Sequence, residues 1–336
     1  MVLASRSIPD LYEAARSGER RAVGRLLTIV ERGLEPADEI SELAHRDSTG
    51  AHIVGITGAP GAGKSTLVGQ LVTDLVVGGA QPAVLAVDPS SPLTGGAILG
   101  DRIRMDDAAE RMSPGVATTT AFIRSMATRG HSGGLALAVP LAVRLFDACG
   151  YAPVIIETVG VGQVEVDVVG AADTAVVVVT PGMGDAVQAN KAGLLEVADL
   201  FVVNKADRPG ANDVRRDLDL MLDLSHMTGQ ESDTGYRPPI VMASALNGEG
   251  NAEVWAAVEK HLAHLDETGQ RQSRRRHRVR TEVRARLTQT LIGAADAAID
   301  TPVGAELVAK AEAAQISPTA AATELIDQLL TEGHRP

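Results

Sequence analysis

The apolar run Ile53-Val54-Gly55-Ile56-Thr57 passes directly into Gly58-Ala59-Pro60-Gly61-Ala62-Gly63-Lys64-Ser65-Thr66, and that loop into a stretch with Leu67, Leu71 and Leu75 at helical spacing. The loop matches G-x-x-x-x-G-K-[ST], and a strand before it with an amphipathic helix after it is the setting in which this pattern cradles phosphates. The residue types follow from the chemistry. Glycines let backbone N–H groups close around an anion, Lys64 can reach β and γ oxygens, Ser65 can ligate Mg²⁺, and the following helix aims its positive end at the phosphate. A chance match on an irregular loop is the plain alternative, and the flanking strand and helix argue against it.

A second motif selects the base. After the strand-like run from Leu200 to Val203 comes Asn204-Lys205-Ala206-Asp207, an N-K-x-D pattern in which a carboxylate accepts two hydrogen bonds from the N1 and N2 donors of guanine. Adenine has no such pair of donors. Taken alone, the four residues could be an ordinary strand-to-helix turn capped by Asp207. After a later strand of the same sheet, at the carboxyl edge where doubly wound folds bind ligands, they become a guanine reader. A further strand, Ile240 to Ala243, ends in Ser244-Ala245-Leu246, like the loop that supports the base by backbone contacts in GTPases.

Strand-like runs at His52–Thr57, Ala83–Val87, Val154–Glu157, Thr174–Thr180, Leu200–Asn204 and Ile240–Ala243 alternate with helical stretches. Near-continuous Val/Ile/Leu runs suit strands buried on both faces, so the expected class is α/β with a doubly wound, mainly parallel sheet. Before it, Pro9 to Gly33 reads as one amphipathic helix and Pro36 to His45 as a shorter one, giving a helical extension over residues 1–48. The nucleotide domain spans 49–265 and closes with a helix from Asn251 to Leu265. From Asp266 the composition turns polar and basic, then Ala-rich with breaks at Pro302 and Pro318. Residues 266–336 read as a helical arm whose broad Ala/Leu/Ile faces have little to pack on locally, suited to dimerisation.

With 336 residues, 45% of them hydrophobic, the chain has ample material for a packed core. There is no run of about 18 apolar residues, and the start Met1-Val2-Leu3-Ala4-Ser5-Arg6 lacks the apolar core of a signal peptide, so neither membrane insertion nor export is expected, and cytoplasm is the default. Cys149 is the single cysteine, read as a small buried residue without a disulfide. The net charge of −12 argues against general nucleic-acid binding. Arg271 to Arg280 carries six arginines and His277 but no aromatics to stack on bases, so a solvated helix face or a subunit contact is the better reading.

Acidic residues for Mg²⁺ stand where strands end. Asp88 closes the second run and Glu157 the third, in Glu157-Thr158-Val159-Gly160, where other P-loop GTPases carry D-x-x-G. Either could hold the metal directly or through water. Asp101 lies in the long Gly/Ser/Pro-rich segment from Pro89 to Met105; loops of that length in a compact domain are usually functional. Any one of these acids could be a helix N-cap or a surface charge.

Together, the segment Asp88 to Met105, Glu157-Thr158-Val159-Gly160-Val161-Gly162-Gln163, Gly184-Asp185 to Lys191 and Asn204-Lys205-Ala206-Asp207 resemble the MeaB/ArgK-type GTPases over nearly the whole chain. The resemblance implies a SIMIBI-class GTPase that binds GTP and GDP with Mg²⁺, forms a homodimer, and serves as a chaperone gating adenosylcobalamin loading into methylmalonyl-CoA mutase, a cobalamin-dependent acyl-CoA mutase. It further implies a phosphate loop at Gly58, Ala59, Pro60, Gly61, Ala62, Gly63, Lys64, Ser65 and Thr66, a Mg²⁺ shell at Ser65, Asp88, Asp101 and Glu157, and catalytic roles for Lys64, Asp101 and Glu157. Base contacts fall to Asn204, Lys205, Asp207, Ser244, Ala245 and Leu246. Mobile segments map to Ser90–Met105, Glu157–Glu165 and Pro181–Gly193, with Arg104, Gln163, Asp185, Gln188 and Lys191 placed to couple nucleotide state to a partner. The chain departs from the family at Ala97, Ile103, Asn190 and Ala192, in the mobile segments rather than in the nucleotide pocket.

An alternative reading of the same family is an ATPase or kinase of basic amino-acid transport, against which Asp207 argues. The dimeric ATPases of the class carry a second lysine where Ala59 stands, and the nickel-delivering relatives carry Cys or His clusters that one Cys and eight scattered His do not supply.

Overall fold

Strand side chains alternate between the two faces of a sheet, and here that alternation sorts them onto two helical layers. The computed structural model describes residues 6–34, 36–88, 120–127, 134–158, 170–182, 197–227 and 236–332. Seven strands, β1 (Ile53–Thr57), β2 (Ala83–Asp88), β3 (Phe122–Ala127), β4 (Val154–Thr158), β5 (Thr174–Val179), β6 (Leu200–Val203) and β7 (Ile240–Met242), form one sheet in the order β3-β2-β4-β1-β5-β6-β7. Every neighbouring pair is parallel. The helices of the described residues are α1 (Ile8–Arg16), α2 (Arg20–Arg32), α3 (Ala37–Asp47), α4 (Lys64–Val77), α5 (Gly134–Ala148), α6 (Ala211–Met227), α7 (Asn251–Glu267), α8 (Gln270–Ile299), α9 (Pro302–Glu312) and α10 (Pro318–Glu332).

On one face, Val54, Ile56, Val84, Ile155, Val176 and Val178 pack against α4 and α7. On the other, Leu85, Val87, Met126 and Ile156 meet α1, α2, α3 and α5, and farther along Val177, Val179, Phe201 and Val203 meet α6. β4, β5 and β6 are buried at every position, which is why their sequences are unbroken apolar runs rather than alternating ones. The doubly wound parallel sheet expected from the sequence is the fold of the chain.

The expected single helix from Pro9 to Gly33 is two. Gly18 stands at φ 90°, with its N–H bonded to Ala15 O and the Glu19 N–H to Ala14 O, so the first helix ends in a left-handed cap that glycine adopts without a Cβ penalty. Ser7 caps the start of α1, and Gly33, at φ 59°, ends α2. These N-terminal helices are part of the sheet's own core: Tyr12, Leu26 and Leu27 are buried in the cluster that holds Phe146, Leu85 and Ile156.

β3 is absent from the sequence expectations. Its Phe-Ile-Arg-Ser-Met-Ala lacks the Val/Ile run of the central strands because, among the described residues, it is an edge strand paired to β2 alone. Arg124, between the core residues Phe122 and Met126, donates to Glu31 at 2.6 Å on α2, and Arg20 of α2 lies 5.0 Å from the Phe122 ring centre while donating to Ala121 O at 2.7 Å.

The chain divides into two compact units, Met1–Arg278 and Val279–Pro336, the division falling within α8, beyond the change of composition at Asp266. In the second unit Leu307, Ala321 and Leu325 form a small core with Ala298, Ala311 and Ile316. Thr301 caps α9 through Gly304 N, and carbonyls of Ala298 and Ile299 occupy the space a Cβ on Gly304 would need. Val279, Val283, Leu287 and Leu291 are exposed. Among the described residues no helix is long and apolar enough to cross a membrane.

Candidate functional site

β1 lies between β4 and β5, the point where the chain's strand order reverses, and its carboxyl end releases the glycine-rich loop. Gly58 takes φ 143° with Val178 O where a Cβ would stand, so the loop turns against β5 in a way only glycine permits. Gly63, at φ 89°, begins α4 with the Asn204 amide occupying its Cβ position. The loop between them closes with Ala62 N bonded to Ala59 O at 3.1 Å, and Pro60 and Gly61 lie exposed at its tip. Lys64 is 6% exposed and donates from Nζ to Gly58 O at 2.6 Å and Ala59 O at 3.2 Å. An ammonium lying inside the loop it must serve is positioned for a phosphate that replaces those carbonyls.

The Asn204–Asp207 segment, expected from the sequence to read guanine, is tied to this loop. Asn204, buried after β6, donates to Ala62 O at 2.8 Å and accepts from Ala245 N at 3.1 Å, so one amide joins phosphate loop, base loop and the Ser244-Ala245-Leu246 turn. Lys205, at φ 57°, donates to Gly61 O at 2.6 Å. The Ser244 hydroxyl donates to Asp207 Oδ1 at 2.6 Å and holds the Asp207 carboxyl below its usual range. Ser244 and Glu249 exchange backbone bonds, and Leu246 projects from that turn 84% exposed.

The metal candidates come partly into view. Ser65 Oγ donates to Glu157 Oε1 at 2.6 Å, and Glu157 is fully buried at the end of β4. A hydroxyl and a carboxylate facing each other beside a phosphate loop form the hard-oxygen set Mg²⁺ prefers, completed in such sites by phosphate oxygens and waters. These residues fit the ion. Asp88 ends β2 at the same sheet edge, two strands from β1. Asp101, Arg104, Gln163, Asp185, Gln188 and Lys191 lie outside the described residues.

Two threonines to which the motifs gave no role join the strands that lead to this site. Thr158 donates to the Thr57 hydroxyl at 3.0 Å, both buried, linking the carboxyl ends of β4 and β1. The signal was present as a threonine ending each of two otherwise aliphatic strands.

Comparison with known proteins agrees with this geometry. The family model described as "Methylmalonyl Co-A mutase-associated GTPase MeaB" matches residues 23–300. The chain is 43% identical over 326 residues to a protein of Pyrococcus abyssi that carries a GTPase name, covering 97% of this chain and 98% of that one. It is 36% identical over 271 residues to GTPase ArgK of Escherichia coli strain K12, 79% of each chain. Among solved structures, one titled as an LAO/AO transport system kinase superposes with TM-score 0.68 at 24% identity over 98% of this chain and 100% of that one, a likeness of fold.

Proposed function

This chain belongs to the MeaB family of P-loop GTPases, and from that premise we propose that it gates the loading of adenosylcobalamin into an acyl-CoA mutase, methylmalonyl-CoA mutase or a relative, and protects that enzyme from inactivation. The observation that supports the reading is the Asn204 amide, which bonds both the phosphate loop at Ala62 and the turn at Ala245.

In this reading Asp207, held by Ser244, accepts the two guanine donors, and Lys64 lies against the β and γ phosphates, where charge develops as the terminal phosphoryl group leaves. Mg²⁺, when bound, would supply further positive charge against the charge that develops on the phosphates. Ser65 and Glu157 would hold it, with Asp88 and Asp101 the further acids of the shell. Hydrolysis is slow in the isolated protein. Fast GTPases place a glutamine to orient the attacking water and a cation on the transferred group; here Val161 follows Gly160 and Gln163 lies further on. Arg104 or Lys191 would supply the cation after a client docks. A group of that kind adds on the order of 10³–10⁵ in rate, so hydrolysis reports engagement with the mutase. The protein works as a homodimer through residues 266–336, in the cytoplasm.

The test is single-turnover GTP hydrolysis with and without an acyl-CoA mutase from the source cell, beside a pull-down with a non-hydrolysable GTP analogue. Acceleration by the mutase and its recovery in the eluate are expected. A fast rate unchanged by any client would replace this reading with an energy-supplying NTPase.

A further inference from the structure

The arginine run that the nucleotide site leaves unused finds partners at the opposite, amino edge of the sheet. Arg271, Arg274 and Arg278 stand on one face of α8 at i, i+3 and i+7. Arg274 grips the Asp199 carboxylate with both terminal nitrogens at 2.7 Å and also donates to Asp173 O at 2.7 Å. Arg278 donates to Asp173 Oδ1 at 2.6 Å and Ala172 O at 2.9 Å, and Arg271 to Gly50 O at 2.8 Å. Asp173 and Asp199, 1% and 7% exposed, immediately precede β5 and β6, and each also accepts a strand N–H: Ile53 N on Asp173 and Ala175 N on Asp199.

A chain of neutral groups completes the cluster. The Thr174 hydroxyl lies 2.9 Å from His52 Nε2 and 2.9 Å from His261 Nδ1, while His261 Nε2 faces Asp199 Oδ1 at 3.3 Å. A hydroxyl has one proton to give. With the His261 proton on Nε2, toward the carboxylate, Thr174 donates to Nδ1 and accepts from His52 Nε2, so both nitrogens of His261 are satisfied without charge. Arg276 and Arg280 of the same run are exposed.

We propose that Arg274, flanked by Arg271 and Arg278, is a positioning lock that seats the first turns of α8 on the amino ends of β5 and β6. A two-pronged guanidinium on a buried carboxylate fixes direction as well as distance, which a single surface ion pair does not. The segment entering the second compact unit is thereby held by the two strands whose other ends lead to Pro181 and Asn204. The inference stands on the amino edge alone and does not depend on which nucleotide binds.

Amide hydrogen exchange on the full-length protein tests it. In Arg274→Ala, exchange across residues 271–278 should rise about tenfold or more while β1 and β5 keep their protection. The pair Arg276→Ala with Arg280→Ala should leave all three segments unchanged, and high salt should not loosen the wild-type helix, since buried pairs are weakly screened. If circular dichroism shows that Arg274→Ala does not fold, Arg274→Lys, which keeps the charge but cannot hold both oxygens, is measured in its place with the same expectation. Wild-type exchange in the folded variant, an equal rise throughout β1 and β5, or equal loosening by the Arg276 and Arg280 pair would each overturn the lock.

Discussion

At the carboxyl edge of the sheet, Lys64 and Lys205 donate to backbone carbonyls and Asp207 accepts from the Ser244 hydroxyl, bonds that a ligand could replace. At the amino edge, Asp173 and Asp199 are filled by arginines and strand N–H groups, and Asp147 of α5 takes bonds from the Ser48 and Thr49 hydroxyls and from Gly50 N and Ala51 N. The same strands run between the two edges. Charge at one end lies beside the phosphate loop; charge at the other is gripped by arginines, hydroxyls and backbone N–H groups. Substitutions at the two edges should therefore fail in different ways: at the carboxyl edge activity is lost while the fold persists, and at the amino edge stability is lost while nucleotide preference persists.

The largest expected effect is on turnover. Lys64→Ala removes the cation from the β/γ bridge and should lower single-turnover GTP hydrolysis by about 10³ or more, with a melting temperature close to that of the wild type. A melting temperature lowered as far as by amino-edge changes would dissolve the distinction between the edges.

Next comes the acid limb of stability. Burial pushes His261 and His52 down to about 4, with Asp199 and Asp173 opposing that shift and Arg274 and Arg271 adding to it. The folded chain thus binds fewer protons than the unfolded one between pH 6.5 and about 4. Stability should be at its full value above about 6.5 and fall as the pH drops to about 4, by about 3 kcal/mol for one imidazole. Urea titrations across that range check this, and a flat profile would mean that these rings are not buried neutral. His261→Gln should flatten the slope without altering GDP affinity.

The third effect is on base choice. Asp207→Asn turns an acceptor toward the guanine donors into a donor, so GDP affinity should fall about a hundredfold, a loss of about 1–3 kcal/mol for each unmet donor. Xanthosine diphosphate should then bind better than GDP. Calorimetry with GDP, ADP and the xanthine nucleotide reads all three, and equal GDP and ADP affinities in the wild type would remove the guanine assignment.

The smallest effect is a control outside both edges. Gly18→Ala places a side chain at φ 90° with open space around it, and should lower stability by about 1 kcal/mol while leaving hydrolysis and nucleotide preference alone.

What was legible in the sequence was what a short stretch of chain decides for itself. β1 with its glycine loop and the apolar runs of β4, β5 and β6 could be read because their chemistry is local. The break at Ser17-Gly18 was local too, but the amphipathic pattern on both sides hid it. β3 was missed because an edge strand needs only half the apolar character of a central one. The amino-edge cluster was out of reach for a different reason: Arg274 and Asp199 are far apart in the chain, and nothing near either announces the other. Thus the basic run was read as a solvated face or a subunit contact, although three of its arginines point inward.

β3 has a further consequence for how this molecule lives among its own copies. The outer strands of an open sheet offer unpaired N–H and C=O groups to any neighbouring strand, and chains that expose long apolar edges tend to polymerise. Among the described residues one margin, β7, is only three residues long, and the other carries the Arg124 guanidinium in mid-strand, pinned by Glu31 between Phe122 and Met126. An incoming strand would have to bury or displace that charge. Arg124 and its helix thus act as a guard against edge-to-edge stacking, and Arg124→Val, which would suit the strand better by propensity, should make the protein more prone to aggregate.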